Sequence, residues 1–122
     1  SIHDPCPVRN TPAVHRAVRE LLGKMNIKVV ETEKRGENSI CCGDSLYPHH
    51  SMEEIRSAMK RRADSMPCSR VVVYCVSCIK AMHIGGKTPC YLADLLLGKP
   101  TAPQECDIKK WHDALEAYIK QH

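Results

Sequence analysis

The sequence has 122 residues, 43% of them apolar, with a net charge of +4, eight cysteines, one tryptophan and no phenylalanine. That length supports one domain, residues 1–122, around an aliphatic core of Val, Ile, Leu, Met and Ala that needs no disulfide staples. The composition argues against a membrane span, which takes roughly 20 consecutive apolar residues. It also argues against nucleic-acid binding, because the densest basic stretch, Lys60-Arg61-Arg62, has no aromatics interleaved and reads as a solvated helix face.

In chain order, Ser1 to His3 reads as the end of a strand. Thr11-Pro12 then gives an N-cap followed by proline at the first helical position. Val14, Ala17, Val18, Leu21 and Leu22 recur at helical spacing, and Gly23 or Asn26 ends that helix. Ile27 to Glu31 reads as a second strand, and the polar residues 32–40 as a loop. Ser51 with Glu54 forms a capping box for a helix whose buried stripe is Met52, Ile55, Met59 and Ala63. Val71 to Tyr74 is an apolar run typical of a parallel strand covered on both faces. Cys75 to about Met82 starts a helix, and Thr88-Pro89 repeats the cap-plus-proline signal before a helix over Tyr91–Leu97. Residues 104–122 carry a C-terminal amphipathic helix capped by Asp107, with Ile108, Trp111, Leu115, Tyr118 and Ile119.

Alternating strands and helices imply an α/β fold, a small three- to four-stranded parallel sheet with helices on both faces. Sites in such sheets form beyond the carboxyl ends of the strands. Cys6, the adjacent Cys41-Cys42 and the Cys75-Val76-Ser77-Cys78 pair are separated by 34 and 32 residues, and the expected topology sends all of them to that end. Vicinal cysteines cannot pair with each other without strain, so reduced thiols in a cytoplasmic compartment are the expectation. A cluster of soft thiolates is what a metal needs. Tetrahedral zinc takes four ligands, and a cubane cluster takes four cysteines. Five convergent cysteines leave either one thiolate bridging two metal atoms or one cysteine spare, which favours a polynuclear cluster and leaves zinc open.

His-Asp-Pro-Cys, Cys-Cys-Gly and Tyr-Cys-x-x-Cys at this spacing resemble the CCG or cysteine-rich domain, over His3 to about Leu97. That domain occurs in the B subunit of heterodisulfide reductase. It also occurs in lactate-utilisation proteins, in iron–sulfur subunits of glycolate and glycerol-3-phosphate oxidation complexes, and in some unusual succinate dehydrogenases. The resemblance implies that Cys6, Cys41, Cys42, Cys75 and Cys78 are the metal ligands of an iron–sulfur redox domain in a multi-subunit oxidoreductase. In the heterodisulfide reductase branch such a set holds a noncubane [4Fe-4S] cluster; in a succinate dehydrogenase relative a similar set binds zinc. The implied partners are other redox subunits carrying iron–sulfur or flavin groups, and the implied acceptor is a disulfide, a quinone or a flavin-linked group. The alternative is a zinc-stabilised assembly module with no catalysis of its own. Many relatives carry two such domains per chain, so this one reads as a fragment, a single-domain member or half of an assembly. Asp44 and Ser45 stand where many relatives have further glycines.

Among the flanking residues, His3 is the candidate for hydrogen bonding to cluster sulfur or for carrying protons, and Asp4 for bracing the turn that presents Cys6. Arg9, Arg16, Lys80 and Lys87 read as surface cations, and His49-His50 as a solvated loop. Cys68 and Cys90 read as small buried apolar residues, with Cys90 at a helix start, and Cys106 as an exposed thiol.

Overall fold

The computed structural model describes residues 1–103 and 107–122. Three short strands, β1 (Ile2–His3), β2 (Arg70–Val73) and β3 (Thr88–Tyr91), form a parallel sheet in the order β1-β2-β3. Five helices accompany them: α1 (Pro12–Lys24), α2 (Met52–Asp64), α3 (Val76–Ile84), α4 (Leu92–Leu96) and α5 (Ile108–Gln121). The expected α/β class holds, with helices on both faces.

Register explains the layering. Ile2, Val72 and Cys90 are aligned across the three strands, and with Val18 and Leu22 of α1 they make one core. Because side chains alternate along a strand, Val71 and Val73 point the other way. There they pack with Ile55, Met59 and Ala63 of α2 and Ala81 and Met82 of α3. Cys42 and Cys78 belong to this second core.

The α2 stripe forms as expected, and its capping box is present: Glu54 N donates to Ser51 Oγ and Ser51 N to Glu54. The helix packs closely on α3 at Gly85, where an added Cβ would clash with the Ala63 Cβ. Helix α1 ends at Lys24, followed by Asn26 at φ 57°. Asp107 caps α5 by accepting from Lys110 N. The expected start of the C-terminal helix at residue 104 and the exposed thiol at Cys106 lie outside the described residues.

Two element assignments are corrected. Ile27–Glu31 forms no strand and joins no ladder among the described residues. Ile27 and Val29 pack against the α1-side core, Glu31 pairs with Arg19, and Thr32 Oγ1 donates to Ser65 O. Packing satisfied the strand-like residues without a partner strand, as befits a propensity that measures half-burial. The second correction is at Thr88-Pro89, which opens β3 rather than a helix. Pro89 is tolerated because β3 is the edge of the sheet, so its missing N–H removes no central ladder bond. Cys90 is buried, as expected, but on this strand. Helix α5 leaves Trp111, Leu115, Tyr118 and Ile119 exposed. No helix among the described residues is long and apolar enough to cross a membrane.

Candidate metal centre

The three cysteine groups come from three different elements. Cys6 opens a 3-10 turn (Cys6–Val8) three residues beyond the end of β1. Cys75 follows β2 by two residues and is the N-cap of α3, whose first turn carries Cys78; their spacing puts both on one side of the helix. Cys41-Cys42 enters from the long loop and is turned by Gly43, at φ 104°. A Cβ there would sit 3.0 Å from Met59 N, so this turn needs glycine for its conformation and for its approach to α2.

Neighbouring thiols shift one another's titration. Burial, then the neighbouring Cys41 thiol, raises the pKa of Cys6, with Arg9 opposing. Cys42, then burial, pushes Cys41 up to about 12, against Ser45 and the Gly43 N–H. The Cys41 thiol lowers Cys42, but Cys78 and burial outweigh it and push Cys42 up to about 12 as well. Cys75 packs against the same core. All seven cysteines among the described residues are free thiols. Cys68 is only partly buried.

Two buried neighbours, His3 and Asp4, stand beside the thiols. His3 is fully buried, and a ring nitrogen of His3 and the sulfurs of Cys42 and Cys78 all lie within 4.8 Å of one another. Its Nδ1 accepts from Arg62 Nε at 3.1 Å, while its Nε2 is buried with no hydrogen-bond partner among the described residues. Burial first and the Arg62 charge second push His3 down to about 3, with Asp4 opposing, so the ring is neutral at pH 7. Asp4 is also fully buried and accepts from Arg19 Nη1 and Nη2, Gly36 N and Tyr74 Oη. Burial raises its pKa; the bonds to Arg19, Tyr74 and Gly36 outweigh that and hold it at about 2. These bonds tie the residue two before Cys6 to Arg19 of α1, to Gly36 and to Tyr74.

Arg62 corrects the sequence reading: it is fully buried, not on a solvated face. It donates to His3, Ser65 Oγ, Lys34 O and Ser39 Oγ. The signal was present, since Arg62 falls seven residues after Ile55 and three after Met59, on the apolar stripe of α2. Lys80 is also no free surface cation: it pairs with Asp44 at 3.1 Å and lies 4.5 Å from the Trp111 ring centroid. Asp44, Val76, Ser77, Lys80 and Trp111 line a cleft of about 340 Å³ beside the first turn of α3. Arg9 is partly buried, with Nε lacking a hydrogen-bond partner among the described residues. His49 and His50 are exposed, as expected.

A set of soft sulfur donors, with Cys42 and Cys78 close together beside buried His3, gives this small α/β domain groups that can hold a metal. A family model, the CCG cysteine-rich domain, matches residues 1–83, and the chain belongs to that family. Nothing among curated proteins matches the chain, and no solved structure does.

Proposed function

We propose that this domain holds an iron–sulfur cluster on Cys6, Cys41, Cys42, Cys75 and Cys78 and serves as an electron-transfer domain of a multi-subunit oxidoreductase. The observation that carries the reading is the close approach of the Cys42 and Cys78 sulfurs, with Cys41 and Cys75 packed against the same core. The donor chemistry fits such a group: soft sulfurs outnumber what one zinc ion takes, and adjacent cysteines can reach different metal atoms. When bound, the cluster supplies one-electron transfer. The chain's own residues do the rest. The apolar core of Ile55, Met59, Val73 and Met82 excludes water behind the sulfurs. Buried Arg62 offsets negative charge, and Asp4 fixes the turn that carries Cys6. The partner is a redox subunit carrying iron–sulfur or flavin groups, and the acceptor is a disulfide, a quinone or a flavin-linked group. The cleft beside Val76 and Lys80 offers the approach.

Anaerobic reconstitution with iron and sulfide tests this. Brown protein with about four irons per chain, an EPR signal on reduction, and spectra altered by both Cys41→Ser and Cys42→Ser are expected. Failure to take up iron would sink the proposal. A second reading, a zinc-stabilised assembly module in which four of the five cysteines hold one zinc, is favoured by the closeness of the Cys42 and Cys78 sulfurs, which lie within 4.8 Å of each other. It predicts one colourless zinc per chain and a dispensable member of the Cys41-Cys42 pair.

A further inference from the structure

Arg62 is a buried cation, and no carboxylate lies within ion-pair distance of it among the described residues. Its guanidinium is instead spent on neutral acceptors: the Lys34 carbonyl, two serine hydroxyls and His3 Nδ1. Burying a charge without a counter-charge is costly, so such a group implies anionic matter nearby. Cys42 and Cys78, the sulfurs beside His3, are that matter once deprotonated.

The bond from Arg62 also fixes the histidine. Arginine only donates, so Nδ1 must accept through its lone pair and carries no hydrogen. A neutral imidazole then bears its hydrogen on Nε2. Nε2 is the fully buried atom without a partner among the described residues. A nitrogen that carries hydrogen has no lone pair for a metal. The cluster of three close donors is therefore not a three-ligand set.

We infer that Arg62 and His3 form a relay that presents one N–H, from His3 Nε2, to the sulfur of Cys42 and Cys78, so that His3 positions and stabilises metal-bound thiolate or sulfide and does not ligate the metal. For the loaded state this rests on the proposal that these cysteines hold a metal; for the metal-free chain it stands alone. Outer groups of this kind set ligand orientation and the potential of the centre through hydrogen bonds to sulfur. His3 and Arg62 are positioning residues here, not catalytic ones.

The test is nitrogen NMR of the full chain, with the His3 signals assigned against His3→Gln. In metal-free protein, His3 Nε2 is expected in the protonated range and Nδ1 in the unprotonated range. Protein loaded with cadmium-113 is expected to show coupling from the metal to cysteine β-protons and none to the His3 ring, with Nε2 still protonated. Arg62→Met is expected to release His3 into a mixture of tautomers and weaken cadmium binding by about 10- to 100-fold. Hydrogen on Nδ1 in the metal-free wild type, or a one-bond coupling from cadmium to Nε2, overturns the inference. If no cadmium binds, the metal proposal fails, while the metal-free tautomer still decides the relay. That wild-type tautomer also decides it if Arg62→Met does not fold.

Discussion

Replacing Asp4 with asparagine removes the charge on which four donors converge. The Asp4 carboxyl is held at about 2 against an ordinary value of 3.8. At 1.36 kcal/mol per pH unit, that difference amounts to about 2 kcal/mol of folding free energy at pH 7. Asparagine also points an NH₂ at donors, and Arg19 loses one of its two carboxylates while keeping Glu31. The expected loss is thus about 2–3 kcal/mol, the low side of what breaking a buried pair costs. Urea titration of metal-free Asp4→Asn and wild type, followed by circular dichroism, measures it. The sign of the pH dependence follows from the depressed value. The stabilisation is complete above the unfolded pKa of about 4 and is lost as pH falls toward the folded value of about 2. The gap between the two proteins should therefore hold steady from pH 7 to about 5 and narrow toward pH 2. A loss below about 1 kcal/mol, or a gap that ignores pH, would refute the reasoning.

Gly85→Ala drives a Cβ to 2.8 Å from the Met59 carbonyl oxygen as well as into Ala63; a loss of about 1–3 kcal/mol from overpacking is expected in the same titration. Ser51→Ala removes the acceptor for Glu54 N at the start of α2 and should cost about 1 kcal/mol. Metal uptake should tighten as pH rises and should release protons, because Cys41 and Cys42 are held protonated, at about 12, in the metal-free chain. Calorimetric titration with zinc or cadmium in buffers of different ionisation enthalpy would count those protons.

Much of the fold was legible because its signals are local. The Ser51–Glu54 box, the stripe of α2 and the Val71–Val73 run each carry their own periodicity, and each appears in place. Ile27–Glu31 misled because an alternating, half-buried segment looks the same in sequence whether or not another strand lies beside it. Thr88-Pro89 misled because proline after threonine serves a helix start and an edge strand equally well. For the site, the cysteine spacing pointed to one shared pocket, and the structure places Cys42 and Cys78 side by side with Cys41 and Cys75 packed against the same core. What escaped was the polar scaffold behind them. Arg62 was read by its neighbours Lys60 and Arg61, although its place in the α2 stripe marks it as inward. The tie from His3 to Arg62 spans 59 residues, and that from Asp4 to Tyr74 spans 70. No pattern along the chain encodes either pairing.

The three strands separate two interiors that share almost no side chains. Ile2 faces the compartment of α1, while its neighbour His3 faces the thiols. Drift in Val18 or Leu22 can therefore soften or stiffen the molecule while leaving sulfur chemistry alone. Met59 and Val73 have no such licence, because any change there reshapes the wall behind the cysteines. The sheet works as a bulkhead, and it lets the α1-side packing vary independently of the cysteine pocket in a small domain.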